Sequence, residues 1–260
     1  VGLNCSLNGK ILNLNEVNNV FVQPASNDAG TSYGAALYSL RDHQGRYKNN
    51  KKNNDFNLGK EITNNEIKCF IKKNKRLKAS YMNYDDLAKK AAFLLSEGKV
   101  LAWVQGKNEF GPRALGNRSI LAKPYPLEMK DRVNRIKKRE QFRPFAPAVL
   151  DNYQLNYFKM KQSSFHMLYA FEVKKGVSHL IPATVHVDNT SRVQTVNKKL
   201  NQKFYKLLFE FHKITDCPVL LNTSLNIKGQ PMINNMDEAI KCLLMYDIDY
   251  LIINNYLISK

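Results

Sequence analysis

Between Gln105 and Ser119 the chain reads QGKNEFGPRALGNRS, with three glycines, one proline and the cations Lys107, Arg113 and Arg118 in fifteen residues. A run so rich in Gly, Pro and charge makes a poor helix and a poor strand. It fits a rigid loop whose backbone approaches a guest closely while positive side chains converge on it. The matching guest is an anion with planar oxygens, a phosphate or a carboxylate, which arginine grips through two N–H groups at once. The plainer alternative is a Gly/Pro connection carrying solvated charge. Three cations interleaved with Phe110 and Leu115 favour the clamp.

Other polar groups stand at comparable places. Arg143 lies in QFRPFAP, held extended by two prolines between aromatic neighbours, which would partly desolvate its guanidinium and aim it. His186 and Arg192 lie in HVDNTSRVQTV, and Ser224 and Asn226 in the polar run after an apolar stretch at 218–221. Asp28 falls between the apolar run 20–23 and a helix start, a usual position for ligand-binding groups in α/β proteins. It could equally cap that helix. The P-loop pattern GxxxxGK[ST] is absent, and no Ser/His/Asp spacing suggests an acyl-enzyme.

The elements that must position these groups follow from periodicity and stop signals. Helices are predicted over 85–97 (ended by Gly98), 128–139 with a basic outer face, 202–214 and 237–245, with another beginning at 34–40 and a short one at 66–72. Strands are predicted over 20–23, 100–104, 167–173, 218–221 and 250–253, and within 190–196. If the strands near 104, 193 and 221 share a sheet, their loops can face one pocket for anions. The fold class expected is α/β (α+β). The polar, Asn/Lys-rich stretch 41–80 reads as linker plus insertion, separating 1–40 from a domain at 81–260.

Composition narrows the function classes. With 43% hydrophobic and 10% aromatic residues in 260, the chain is globular and can bury a large core. No apolar run is long enough to span a membrane, and no basic-then-apolar leader marks secretion. Cys5, Cys69, Cys217 and Cys242 are scattered without a CxxC pair, as in a reducing, cytoplasmic setting. The net charge of +18 would suit nucleic acid. Much of it, however, is Lys mixed with Asn, as in KNNKKNN at 48–54, so solvated surface charge is the preferred reading.

Four runs carry a family resemblance: NEFGPRALGNRS (108–119), QFRPFAPAVL (141–150), HVDNTSRVQTV (186–196) and PVLLNTSLNIKG (218–229). In order and spacing they resemble the C-terminal region of the O-carbamoyltransferases, which modify nodulation factors, aminoglycosides and cephems. QPASNDAG at 23–30 resembles the end of that family's N-terminal domain. The resemblance implies a YrdC-like twisted-sheet domain with flanking helices, preceded by a fragment of an actin-like ATPase-fold domain. It further implies that carbamoyl phosphate and ATP, with Mg2+, give carbamoyl-adenylate, whose carbamoyl group passes to a hydroxyl acceptor in an actin-like domain carrying an iron-type metal. On this basis Lys107, Arg113, Arg118 and Arg143 would grip carbamoyl phosphate and ATP phosphates, with Arg192 assisting. Ser224 and Asn226 match the Ser-x-Asn nucleotide loop, His186 would orient phosphate or move a proton, and Asp28 matches a metal ligand. The sequence departs from the family at Asn189, usually Gly, and at Leu225, usually Phe. The family's paired-histidine metal motif does not occur, so metal binding and complete transfer are expected to need a further actin-like segment, on a separate chain if need be. Two rival readings are an RNA- or tRNA-binding module of the YrdC kind and a catalytically silent fragment.

Overall fold

Side-chain alternation at the centre of the chain decides the architecture. Val100, Ala102 and Val104 enter one apolar cluster, while Leu101 and Trp103 enter the other. A strand buried on both faces needs cover on both faces, and helices supply it. The computed structural model describes residues 1–44 and 56–260, so the lysine-asparagine run at 48–54 lies outside the described residues.

The strands are β1 (Lys78–Tyr81), β2 (Leu101–Val104), β3 (Arg118–Ala122), β4 (Ala146–Leu150), β5 (Ala170–Glu172), β6 (Thr190–Arg192), β7 (Gln194–Val196), β8 (Val219–Ser224), β9 (Tyr250–Ile253) and β10 (Tyr256–Ser259). The helices are α1 (Cys5–Leu12), α2 (Ala29–Gln44), α3 (Asn64–Lys73), α4 (Tyr84–Ser96), α5 (Glu128–Ile136), α6 (Gln154–Tyr157), α7 (Gln202–Thr215) and α8 (Met236–Met245). Eight strands form one mixed sheet in the order β1-β10-β9-β2-β3-β8-β4-β7, and β5 pairs β6 separately. Helices α4 and α7 bury Leu87, Leu95, Phe204 and Phe211 on one face. Helices α3, α5 and α8 bury Ile67, Val133 and Leu243 on the other. The mixed α/β class expected from the sequence is the class observed.

Local chemistry sets the helix ends. Asn83 accepts the Asp86 amide at the start of α4, and Asp85 and Asp86 lie in its first turn, where carboxylates meet the positive end of the helix dipole. Past its end Gly98 takes φ +79°, a left-handed turn that glycine adopts without a Cβ clash. No helix among the described residues is long and apolar enough to cross a membrane.

Two expectations need correction. Residues 20–23 form no strand: the Val20 amide and carbonyl bond the Gln162 side chain at 3.0 and 2.9 Å, and the Tyr169 hydroxyl also donates to that carbonyl. Side chains satisfy the backbone there, so no ladder is needed. The stretch 41–80 is more than linker. Within it Ile62 and Ile67 are buried in the core, α3 packs against α8, and β1 pairs β10 at the sheet edge. Its few apolar residues escape notice because β1 is exposed along most of its length.

Candidate functional site: an arginine-lined cavity

Pairing register brings the informative loops to one edge of the sheet. Val104 of β2 lies opposite Arg118 of β3, and Ser119 opposite Ser224 of β8. Asn222 lies opposite Ala146 of β4, and Ala148 opposite Gln194 of β7. The C-terminal ends of β2 and β8 therefore share an edge with the N-terminal ends of β3, β4 and β7. The strands near 104, 193 and 221 do lie in one sheet.

At that edge a cavity of about 280 Å³ is lined by Arg113, Arg139, Arg143 and Arg192, with Asn222, Thr223 and Ser224 on its β8 side. Among the described residues lining it, none is acidic. Burial pushes the Arg113 pKa down. Burial, then repulsion from Arg113, pushes Arg192 down to about 10. Burial and the Arg143 charge bring Arg139 to about 10. Guanidinium remains charged at neutral pH even so, and the Arg139 and Arg192 shifts record cations crowded together, offset in part at Arg139 by the neighbouring Glu140. The Nε atoms of Arg113 and Arg192 are buried without hydrogen-bond partners. Such a cavity gains free energy by taking in an anion with several oxygens.

Each arginine reaches the cavity differently. Arg113 rides on the 105–119 loop, whose amides and carbonyls are both secured internally. Glu109 Oε1 accepts from the backbone amides of Leu115, Asn117 and Arg118 at 2.7, 2.8 and 3.3 Å. Arg139 stacks its guanidinium 4.2 Å from the Phe145 ring centroid, and its Nε donates to Asn134 Oδ1 at 2.6 Å. Arg143 is 46% exposed and its Nε pairs with Glu140 Oε2 at 2.8 Å, so it stands at the rim rather than in a desolvated socket. Glu140 also holds Lys228 at 2.5 Å.

Ser224 and Asn226 are joined directly: the serine hydroxyl donates to Asn226 Oδ1 at 2.6 Å. Lys137, which is buried, donates through Nζ to the Ser224 carbonyl at 2.6 Å and to Asn226 Oδ1 at 2.9 Å. Burial, and secondarily the Arg139 charge, pushes the Lys137 amine down to about 7. Lys137 and Arg139 went unsuspected because a helix continued to 139 turns that basic face to solvent. The helix stops at Ile136, and Lys138 adopts φ +50°, which turns its two neighbours inward.

Several expected residues lie elsewhere. Arg118 is fully buried, with Nη1 donating to the carbonyls of Gln105, Gly106 and Asn117 and Nη2 to that of Lys60, at 2.9–3.1 Å. It belongs to β3, and its terminal nitrogens hold the loop instead of a ligand. Lys107 is exposed and pairs through its backbone with Glu61, away from the cavity lining. His186 does not line the cavity either; its Nδ1 lies 3.2 Å from Thr190 Oγ1, and burial pushes its pKa down. The turn that carries it puts Asn189 at φ +57°, a left-handed conformation that asparagine tolerates better than most residues other than glycine. Leu225 is buried, as an apolar substitute for phenylalanine should be. Asp28 is exposed at the start of α2, and no group of three or more His, Cys, Asp or Glu among the described residues could hold a metal. The described residues do not fit an iron site.

The fold and cavity together define an α/β domain with an arginine-lined cavity at one edge of its sheet. Residues 92–260 match the family described as carbamoyltransferase C-terminus, and residues 1–37 match carbamoyltransferase N-terminus. The chain belongs to the carbamoyltransferase family. It is 38% identical over 267 residues to nodulation protein NolNO of Sinorhizobium fredii, covering 100% of this chain and 39% of that protein. It is 34% identical over 242 residues to a 3'-hydroxymethylcephem-O-carbamoyltransferase of Streptomyces clavuligerus, covering 92% of this chain and 44% of that enzyme. The chain thus spans less than half the length of either relative. Among solved structures, Pyrococcus abyssi Sua5 complexed with L-threonine overlaps 66% of this chain and 47% of its own, at 15% identity and TM-score 0.49.

Proposed function

We propose that the arginine-lined cavity binds carbamoyl phosphate and the phosphates of ATP, and that the domain forms carbamoyl-adenylate. The observation that carries this reading is the convergence of four guanidiniums from three separate segments on one cavity with no acidic lining residue. Such a cavity stabilises the negative charge that develops as phosphate and then pyrophosphate depart. Membership of a carbamoyltransferase family supplies the donor class. In the first step water cleaves carbamoyl phosphate to carbamate and phosphate. In the second, a carbamate oxygen attacks the α-phosphorus of Mg2+-bound ATP, giving carbamoyl-adenylate and releasing pyrophosphate.

Arg113 and Arg192, half-buried with unpartnered Nε atoms, would hold the transferring phosphate, with Arg143 closing over it at the rim. Lys137 positions the Ser224–Asn226 turn through its donated hydrogen bonds, and that turn would contact the nucleotide. His186, four residues before β6 begins, would act through Thr190 on the Arg192 segment. Transfer to a hydroxyl acceptor, with release of AMP, would take place in an actin-like domain, of which residues 1–40 form the last part. Asp28 and the metal belong to that domain, supplied by further sequence or a separate chain. Four free cysteines and two metabolite co-substrates fit a cytoplasmic setting.

Incubating the folded chain with ATP, carbamoyl phosphate and Mg2+ should release pyrophosphate, and Arg113→Ala should abolish it. Folded protein that binds carbamoyl phosphate but gives no pyrophosphate would overturn adenylate formation by this domain alone.

A further inference from the structure

Among so many donors, the cavity contains one buried acceptor with nothing to accept. Asn222 is 1% exposed and lines the cavity, and its Oδ1 has no hydrogen-bond partner. Its amide orientation is not free. Gln194 Nε2 donates to the Leu115 carbonyl at 2.8 Å, which leaves Gln194 Oε1 facing Asn222. Asn222 Nδ2 then donates to Gln194 Oε1 at 2.7 Å and to the Ala114 carbonyl at 3.2 Å. Rotating the Asn222 amide by half a turn would set oxygen against both acceptors, so the relay fixes its oxygen as the free end. A buried acceptor without a donor carries a desolvation cost that a bound ligand can relieve.

We propose that Asn222 is a specificity-determining residue that accepts a hydrogen bond from the NH2 of a carbamoyl group. This rests on the reading of the cavity as a carbamoyl phosphate site. Arginines recognise phosphate and carbonyl oxygens but cannot distinguish a carbamoyl from an acetyl group, because the difference is NH2 against CH3. Asn222 Oδ1 makes that distinction, since acetyl phosphate leaves it unsatisfied while carbamoyl phosphate supplies its missing proton donor.

Binding of carbamoyl phosphate, acetyl phosphate and inorganic phosphate to the purified chain, by calorimetry, tests this. The wild type should prefer carbamoyl over acetyl phosphate by roughly 10- to 100-fold, the range expected when a buried polar atom is left unpaired. Asn222→Leu should remove that preference, and residual binding of inorganic phosphate, whether weakened or not, shows that the anion site survives. If that variant fails to fold, Asn222→Asp keeps an oxygen there; it should bind all three anions more weakly yet still prefer the carbamoyl compound. A wild type that binds phosphate but does not separate carbamoyl from acetyl phosphate overturns the Asn222 assignment and leaves the anion site standing. An unchanged preference in a folded Asn222→Leu protein, or its loss in a folded Asn222→Asp, overturns it as well. If the wild type binds none of the three, the carbamoyl phosphate reading falls and this assignment with it.

Discussion

Two arginines five residues apart in the same loop do opposite things. Arg113 lines the cavity with its Nε buried and unpartnered, whereas Arg118 donates its terminal nitrogens to four backbone carbonyls. Around Arg118 the loop is closed on itself, because Glu109 collects three amides while Arg118 collects the carbonyls. One half of the loop is a knot tied by its own backbone, with Arg118 Nε and Glu109 Oε2 the atoms it leaves unpartnered, and the other presents a guanidinium to the cavity. The knot explains how the charge can be presented: a loop free to relax would turn Arg113 toward water. Fixed dipoles and charges act on a ligand most strongly when nothing must reorganise to meet it.

That contrast can be broken from either side. The largest effect is expected at Arg118. Arg118→Ala removes four hydrogen bonds, leaving the Gln105 and Gly106 carbonyls without a partner while those of Asn117 and Lys60 keep a backbone donor. It should cost about 4 kcal/mol of stability, at roughly 1 kcal/mol per lost bond, read by denaturant unfolding. A variant as stable as wild type would show that the guanidinium is not the loop's fastening. Arg113→Ala should do the reverse, with pyrophosphate formation falling at least about 100-fold, equivalent to about 2.7 kcal/mol, and little change in unfolding midpoint. A large loss of stability there would erase the distinction between the two arginines.

Gly116 links the knot to α7. Its carbonyl accepts from the Trp103 indole at 2.8 Å, it sits at φ +103°, and an added Cβ would lie 2.4 Å from the Phe204 ring. Gly116→Ala should therefore destabilise by about 1–3 kcal/mol through overpacking and weaken phosphate binding as the loop shifts. Unaltered unfolding and binding would mean that α7 yields easily.

The smallest effect concerns Glu109, whose pKa burial pushes up despite its three amide partners. A raised carboxyl pKa means that the folded state holds the proton more tightly than the unfolded one. Its contribution is complete below the ordinary carboxylate value near 4.5 and is lost as pH rises through the folded pKa. Glu109→Gln removes that ionisation while keeping an oxygen for the amides. The unfolding midpoint of the variant relative to wild type should thus climb as pH rises above about 4.5, by on the order of 1 kcal/mol. A flat difference between pH 4.5 and 8 would locate the titration elsewhere.

Much of this was visible in residue order. The 3–4 spacing of Leu87, Ala91, Leu94 and Leu95 and the stop at Gly98 predict α4 to within a residue at either end. The apolar runs at 100–104 and 218–221 predict β2 and the first half of β8, and Tyr250–Ile253 is β9. The helix expected at 66–72 lies within α3. The exposed edge strand β1, by contrast, imposes no period, and the buried strands β3 and β4 are masked by the Gly/Pro-rich and Arg-rich runs that lead into them.

Within the site, Arg113, Arg143, Arg192 and Ser224 could be named from residue type and neighbourhood, and the structure gathers all four around one cavity. Lys137, Arg139 and Asn222 could not. A left-handed turn at Lys138 brings the first two inward, and a side-chain relay 28 residues long in sequence orients the third. The sequence by itself determined helices α4, α7 and α8, strands β2 and β9, and which loops carry excess positive charge, because periodicity and composition are local. Only the tertiary structure decided which of those charges is spent on the protein's own carbonyls and which is left for a ligand. That choice depends on where strands far apart in sequence come to lie side by side.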